Sequence, residues 1–336
     1  MEKIRLGLVF GGQSSEHEIS EISMKTVLSR LDRDKYEPVL IEIDFDGRWR
    51  DEKGVEISVP LRDLIDVAFP ILHGPFGEDG TVQGKFVCEG IPFVGAGVLS
   101  SAIVQDKDVS KRLLRDAGIA QADFITLRRG HDCDIIAIGR RFGFPLFVKP
   151  ANMGSSIGMT KVKSEEALPA AIAEAFAYDR KIVVEKCIVG REIEISVLGN
   201  DVPIVSLPSE VVVNCDFRSY EAKYFDKEAE DFIVPVSLPE KILCKIQQMA
   251  LEVYAALDIT GMARVDFFLD EKGDLFVNEA NTIPGFTPTS LYPKNWEVSG
   301  ILYSELIDRL IELALEDQQS PKGRGEVWRA HAASPQ

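Results

Sequence analysis

One stretch constrains this chain more than any other: Gly261–Leu291, GMARVDFFLDEKGDLFVNEANTIPGFTPTSL. Two apolar runs, Ala263–Leu269 and Leu275–Ala280, flank Asp270–Gly273, which supplies the Asp, Lys and Gly of a tight turn. The pattern predicts a β-hairpin. Strand side chains alternate between faces, so Arg264 shares a face with Asp266, and Glu279 shares one with Asn281. If those faces coincide, a buried surface holds two carboxylates, an amide oxygen and a guanidinium. Buried charges must be paired or metal-bound. Hard oxygen ligands suit Mg2+, which binds through a few protein oxygens and substrate phosphates. The alternative is a surface hairpin with solvated acids. Thr282–Leu291 follows, with Pro284, Gly285 and Pro288, and reads as a loop able to bring backbone N–H groups to a reacting centre.

Composition narrows the options. The 336 residues suit two or three domains, and 45% hydrophobic with 27% charged residues is an ordinary globular balance. No run is long and apolar enough to span a bilayer, and Met1–Arg5 leads straight into a strand, so neither a membrane span nor a signal peptide is expected. Cys88, Cys133, Cys187, Cys215 and Cys244 form no CxxC pair and read as isolated thiols of a reducing, cytoplasmic compartment. A net charge of −16 argues against a nucleic-acid partner. A nucleotide is still compatible, provided that a few Lys and Arg gather at one place.

Lys3–Phe10 reads as a first strand, ending in Gly11-Gly12 and followed by a helix with Ile19, Ile22, Val27, Leu28 and Leu31 on one stripe. A strand, a Gly-rich turn and a helix N-terminus form an anion-binding layout. Neither a GK[ST] nor a GxGxxG motif is present. Glu16 in that turn would repel a phosphate and suit an ammonium group; the other reading is a first-turn acid favoured by the helix dipole. Val39–Ile43 and Val67–Leu72 read as strands, the latter buried on both faces. It ends at His73, before a Gly-rich loop and a helix from Thr81, where open α/β sheets place ligands. Pro92–Gly95 closes this first α/β domain.

Ser100–Ala117 reads as one helix carrying Lys107, by itself a solvated charge. Pro145–Pro150 is a short buried strand with Lys149 near its end, a costly place for a lysine unless it faces an anion. Gly154, Ser155 and Ser156 then form a loop able to lay N–H groups and hydroxyls on phosphates. Gly158–Val162 returns as a strand, and Ser164 is a candidate N-cap for a helix through Ala177. Between the strands Lys181–Glu185 and Glu192–Leu198 lie Lys186, Cys187, Ile188 and Gly190-Arg191. They read as an interdomain hinge that could hold a flat base, or as a plain hairpin. Asn214–Asp231, with Tyr220-Glu-Ala-Lys223-Tyr224, reads as an irregular lid facing an anion. Pro239–Leu257 is helical, with Ile242, Ile246, Met249, Val253 and Leu257 inward, and Ser304–Leu315 is the last helix. Gln318–Gln336 is polar and non-periodic and is expected to be disordered.

In order, GGQSSEHEIS, HGPFGEDGT, VKPANMGSSIGM, VVEKCIVGRE, YEAKY, GMARVDF and VNEANTIPGFTPTSL resemble the D-alanine–D-alanine ligase family of the ATP-grasp fold, from Lys3 to Leu315. The resemblance implies a mixed α/β, α+β fold of three domains: an N-terminal α/β domain with a parallel sheet (1–98), a central ATP-grasp part (99–184) and a C-terminal one (185–317) with a lid at 208–232. It implies an enzyme that joins two D-alanine molecules with ATP through an acyl phosphate, for peptidoglycan synthesis, as a homodimer. Lys107, Lys149 and Lys223 would grip phosphates, under Gly154, Ser155 and Ser156. Glu185, Lys186, Cys187 and Ile188 would surround adenine, and Glu192 would meet the ribose. Asp266, Glu279 and Asn281 would hold two Mg2+, with Mn2+ as a substitute. Glu16 and His73 would take the first alanine, and Ser290 with Leu291 the second one's carboxylate. Arg264 and Gly285 would stabilise the oxyanion, and Glu16, Ser155 and Tyr224 would latch the lid. Cys187 departs from the aromatic that relatives carry there. Tyr224, in place of a His, favours D-alanine over D-lactate as second substrate. A different second substrate (D-serine or D-lactate) and a silent nucleotide-binding regulator are the competing expectations.

Overall fold

The computed structural model describes residues 2–131, 133–214 and 230–319. Lys223, Tyr224 and the tail from residue 320 onward lie outside the described residues. Strands β1 (Ile4–Gly11), β2 (Tyr36–Ile43), β3 (Trp49–Asp51) and β4 (Val67–Pro70) form the first sheet, in the order β3-β2-β1-β4. β2 and β4 run parallel to β1, and β3 is antiparallel to β2. Parallel pairs need crossovers, and helix α1 (His17–Arg30) supplies the one from β1 to β2. β5 (Phe124–Arg128), β6 (Leu146–Pro150), β7 (Thr160–Val162) and β8 (Lys181–Lys186) form a second, antiparallel sheet ordered β5-β8-β6-β7. The third is also antiparallel, ordered β12-β11-β9-β13-β14 with β10 paired to β9. Its strands are β9 (Arg191–Leu198), β10 (Ile204–Val205), β11 (Ser209–Val213), β12 (Glu230–Ile233), β13 (Met262–Leu269) and β14 (Leu275–Asn281). Mixed α/β architecture is thus as the resemblance implies.

Among the other helices are α2 (Thr81–Glu89), α3 (Val98–Gln105), α4 (Lys107–Asp116), α5 (Ile135–Phe142), α6 (Leu168–Tyr178), α7 (Glu240–Ala256), α8 (Leu291–Val298) and α9 (Tyr303–Gln319). One face of the first sheet packs on α1, α8 and α9, through Leu8, Val27, Phe69, Trp296 and Leu310. The last helix therefore returns to the first sheet. The other face packs on α2 through Phe86 and Val82. Helix α7 covers the third sheet with Ile246, Ala250 and Val253 against Ile195, Val265 and Phe267. Helices α5 and α6 cover the second.

Four expectations need correction. Ser100–Ala117 is two helices, broken at Asp106, whose carboxylate accepts the N–H groups of Asp108 and Val109 and so caps α4. That side-chain bond competes with helix continuation. Ile22 of α1 is 44% exposed, and the inward stripe is instead His17, Ser20, Ser23, Met24 and Val27. Small hydroxyls replace aliphatics because α1 lies tightly over strand ends: Ser20 Oγ joins the Gly11 N–H to the Ile71 carbonyl. Ser164 precedes a short 3-10 turn and makes no side-chain cap bond, and Ala167 stands at the start of α6. The flanks of the segment 208–232 are ordered strands, β11 and β12.

Leu310 is 1% exposed and distant in sequence from every candidate site residue. Leu310→Ala should lower unfolding free energy by about 2–5 kcal/mol, the usual cost of a buried Leu truncation. Urea denaturation followed by circular dichroism reads this, with nucleotide affinity of the folded variant unchanged.

Candidate active site

A cavity of about 390 Å3 opens between the second and third sheets, lined by Lys107, Lys149, the Met153–Ile157 loop, the β8–β9 connection, and Arg264, Asp266 and Glu279. Three of the four expected cations thus meet in one cleft of an acidic chain, and Lys223 lies outside the described residues. Each is aimed by local structure. The break at Asp106 starts α4 at Lys107, whose Nζ donates to the Met153 carbonyl at 2.6 Å and lies 4.0 Å from Glu279. One turn further on, Lys111 Nζ sits 3.0 Å from Glu185 Oε2, and Lys149 pairs with Glu185 Oε1. Glu185 is only 3% exposed. Burial would raise its carboxyl, but Lys111 and Lys149 outweigh that and hold it at about 2. Burial opposes the charge on Lys149, yet Glu185 keeps its pKa above the ordinary lysine value. Burial pushes Lys107 down, and Glu279 counters only in part.

The loop after β6 is strained where phosphates are expected. Ser155 and Ser156 have φ of 51° and 60°, left-handed values that are costly for residues with a Cβ. Strain of this kind persists at ligand sites, where the surroundings enforce it. The β8–β9 connection joins two sheets rather than forming a hairpin. A Cβ on Gly190 would lie 2.5 Å from the Leu269 carbonyl oxygen, so only glycine lets the connection pass there.

The hairpin is as the sequence predicts, with the Gly273 N–H on the Asp270 carbonyl at 3.0 Å. β13 lies between β9 and β14, so Asp266 faces Glu194 on one side and Glu279 on the other. Three carboxylates therefore stand in one row across three strands. Arg264 answers them: Nε lies 2.8 Å from Asp266 Oδ1 and 3.0 Å from Glu194 Oε2, and Nη2 is 2.8 Å from Asp266 Oδ2. Burial nonetheless lifts the Asp266 carboxyl to about 7, with Arg264 pulling down and Glu194 and Glu279 pushing up. Burial works against Arg264 too, but Asp266 and Glu194 keep its pKa well above the ordinary value. The row carries more negative charge than Arg264 can balance. With Asn281 paired to Arg264 across the strands, the row offers three carboxylates and a neutral amide oxygen, all hard oxygen donors of a kind that suits a divalent cation such as Mg2+.

On the other side of the row lie the loops after β1 and β4. Glu16 is 7% and His73 7% exposed. Burial lowers the His73 pKa, with Glu16 pulling it back up, and His73 Nε2 is buried with no hydrogen-bond partner among the described residues. Glu78 Oε2 accepts the Gly74 N–H at 2.6 Å. Burial lifts the Glu78 carboxyl to about 8, and the charge on Glu16 adds to this. Across from them, a Cβ on Gly285 would fall 2.7 Å from Ser290 Oγ, which also accepts from the Thr287 N–H at 2.9 Å. Leu291 opens α8 and is buried. Glu78, Lys111 and Glu194 were not among the sequence candidates. Each had a signal: Glu78 shares the Gly-rich loop of His73, Lys111 is four residues from Lys107 on a helix, and Glu194 is an acid in the apolar alternation of β9.

A cation-lined cleft between two antiparallel sheets, faced by a carboxylate row, is the layout that the resemblance to ATP-grasp ligases implies. The family described as "D-ala D-ala ligase C-terminus" matches residues 113–312, and "D-ala D-ala ligase N-terminus" matches 5–63 and 56–96. A D-alanine–D-alanine ligase A of Chromobacterium violaceum is 46% identical, covering 94% of this chain and 96% of its own length. The solved structure of the D-alanine-D-alanine ligase from Coxiella burnetii superposes with a TM-score of 0.90 at 36% identity, over 99% of this chain and 100% of that one. The ligase of Bacillus anthracis complexed with ATP gives 0.79 at 32% identity, over 94% and 99%. The chain belongs to the D-alanine–D-alanine ligase family.

The raised carboxyl of Glu78 has a pH signature. Native Glu78 holds its proton up to about pH 8, whereas the unfolded group releases it near the ordinary glutamate value of 4.5. Native stability is therefore progressively lost as pH rises from 4.5 to about 8. Glu78→Gln keeps an acceptor for the Gly74 N–H and removes that loss. Its stability advantage over the wild type should grow from pH 5 to pH 8 and then level off, as read by urea denaturation in metal-free buffer.

Proposed function

We infer that this chain joins two D-alanine molecules into D-alanyl-D-alanine, consuming ATP and releasing ADP and phosphate, to supply peptidoglycan precursors in the cytoplasm. The observation that carries this is the carboxylate row of Glu194, Asp266 and Glu279 set against the lysines of the same cleft. A polyphosphate fits between the two charge layers. Lys107 and Lys149 would grip it from one side, with backbone and hydroxyl donors of Gly154, Ser155 and Ser156. Lys223 is proposed to join them. Adenine would sit at Glu185, Lys186, Cys187 and Ile188, and the ribose at Glu192. Asp266, Glu279 and Asn281 would hold Mg2+, or Mn2+ in its place. The bound metal would neutralise charge on the transferring phosphoryl group.

A free carboxylate is a poor electrophile, and phosphorylation turns it into an acyl phosphate with a good leaving group. Glu16 and His73 are placed to hold the first alanine, Glu16 through its ammonium group. The second alanine's carboxylate would rest on Ser290 and Leu291 at the N-terminus of α8, whose free N–H groups favour an anion. Its amine then attacks, and the tetrahedral oxyanion needs donors fixed beforehand. Arg264 Nη1 makes no hydrogen bond among the described residues and can serve, with the Gly285 N–H. We also propose that Glu16, Ser155 and Tyr224 latch the closed state and that the chain acts as a homodimer, which light scattering checks.

The deciding experiment is ADP release with Mg2+-ATP and D-Ala alone, or D-Ala with D-lactate or D-Ser, and products identified by mass. Turnover with D-Ala alone is expected; turnover only with a mixed pair would overturn the second-substrate assignment. Metal-held charge stabilisation is worth several kcal/mol, and about 1.4 kcal/mol is tenfold in rate. Glu279→Gln should therefore lower kcat about 100-fold or more while far-UV circular dichroism stays unchanged. Lys149→Ala should instead raise the KM for ATP.

A further inference from the structure

We propose that His17, Glu21 and Glu42 form a binding site for one zinc-type dication, outside the nucleotide cleft, on the loop that presents Glu16. His17 is 5% exposed and opens α1. Its Nδ1 lies 2.7 Å from the Gly12 carbonyl oxygen. A carbonyl only accepts, so Nδ1 carries a proton and Nε2 presents its lone pair in the neutral ring. Nε2 makes no hydrogen bond among the described residues. It lies 3.7 Å from Glu21 Oε1 and 3.7 Å from Glu42 Oε1. Those separations are too long for hydrogen bonds. One ligand atom from each of the three residues lies within 4.8 Å of the others.

Two of the three spacings come close to those of ligands around a common ion. Bonds of about 2.0–2.2 Å to N and O in a tetrahedral shell put ligand atoms roughly 3.3–3.6 Å apart. Closing 3.7 Å to that range takes a few tenths of an ångström. The supporting contacts are also those of a metal-bound histidine, whose second nitrogen donates to a backbone carbonyl. Lys25 Nζ lies 3.0 Å from Glu21 Oε2, the oxygen that does not face His17. Phe45 stacks on the imidazole with ring centroids 4.2 Å apart, shielding one face. Arg50 acts on Glu42 from β3 and offsets part of its charge. Glu21 and Glu42 side chains are 36% and 35% exposed, which leaves an entry path and room for a water as fourth ligand. An imidazole nitrogen favours Zn2+, Co2+ or Ni2+ over Mg2+. The dication proposed for the cleft would therefore not fill this site.

Occupancy has a structural consequence. The Gly12 carbonyl that fixes His17 belongs to the Gly11–Glu16 turn, and the Gly11 N–H is held by Ser20 Oγ at 2.7 Å. A metal joining α1 to β2 would clamp that turn from its outer side.

The test uses the full chain, stripped of metal and held in excess Mg2+ to saturate oxygen-only sites. Co2+ is titrated in and followed by its visible d–d absorption, and Zn2+ affinity is measured by competition with a chromophoric chelator. The variants are Glu21→Gln and Glu42→Gln, neither of them in the proposed catalytic machinery. One Co2+ per chain with tetrahedral absorption, displaced by Zn2+, is expected in the wild type. Each variant should bind Zn2+ at least tenfold more weakly, with unchanged far-UV circular dichroism and unchanged ADP release in chelated Mg2+ buffer. Zn2+ should raise the wild-type Tm and leave the variants' Tm in place. Wild type and both variants binding Zn2+ within twofold of one another would overturn the site. Any thiol-bound metal would be common to all three proteins and cancel in the comparison.

Discussion

Three carboxylates in one row set the terms for the whole molecule. Neighbouring strands lie about 4.8 Å apart, and like charges directly opposite each other on a sheet are destabilising. At about 5 Å and an effective dielectric of about 20, each adjacent pair repels by roughly 3 kcal/mol. Arg264 offsets about one of these charges, since it reaches both Asp266 and Glu194. Asp266 answers the rest by moving towards protonation, with its carboxyl lifted to about 7. The sheet is thus incomplete as an electrostatic object. It is relieved only by cations brought from elsewhere in the chain or from solution.

The second sheet has the opposite character. Lys111 and Lys149 share one carboxylate, Glu185, and so leave one net positive charge at the cleft wall. Lys107 adds another, and it bridges to the far side through its approach to Glu279 at 4.0 Å. Neither layer is neutral by itself. A polyphosphate with a dication would supply what each lacks, which is the charge basis of the proposed Mg2+-nucleotide site. The buried Lys–Glu–Lys group is costly to desolvate and adds little stability. Its value lies in holding Lys149 fixed where a solvated lysine would wander.

How much of this was legible depended on whether the information was local. The hairpin was readable because alternation and the Asp270–Gly273 turn are properties of adjacent residues. The Arg264–Asp266 pairing followed from period two alone. The row was only half readable: Glu279 sits on the same hairpin, but Glu194 reaches Asp266 from a strand some seventy residues away, and nothing in the sequence gives that register. Lys111 was hidden for the same reason, since its partner Glu185 lies on β8. The break at Asp106 was hidden because a helix-compatible run of residues can still be broken by one side chain that satisfies the next backbone N–H groups. Ile22 was misread because the face of α1 that approaches the strand ends has room only for Ser20 and Ser23, and hydrophobic periodicity cannot register close approach.

The hydrophobic cores decide which parts of the site move together. Phe286 lies in the loop before α8, yet it packs edge-on to Phe69 of β4 with centroids 5.6 Å apart. Its N–H meets Ser23 Oγ of α1 at 3.4 Å, and its carbonyl accepts from the Tyr303 hydroxyl at 2.7 Å. The loops carrying Glu16 and His73 and the loop carrying Gly285 and Ser290 are therefore anchored on one core. The second sheet has a core of its own, built from β6, β8, α5 and α6. Its backbone links to the third sheet include the β8–β9 connection and the Val277 N–H on the Ala120 carbonyl. Parting the loops after β1 and β4 from the loop before α8 would disrupt the core that Phe69, Phe286 and Trp296 share, whereas the second sheet packs on a core of its own. On the proposed function, the loops assigned to the two amino acids are held together by one core, apart from the core of the sheet whose Lys149 is assigned to the nucleotide. That division would suit the proposed reaction, in which an activated acyl group must wait, already aligned, for its amine.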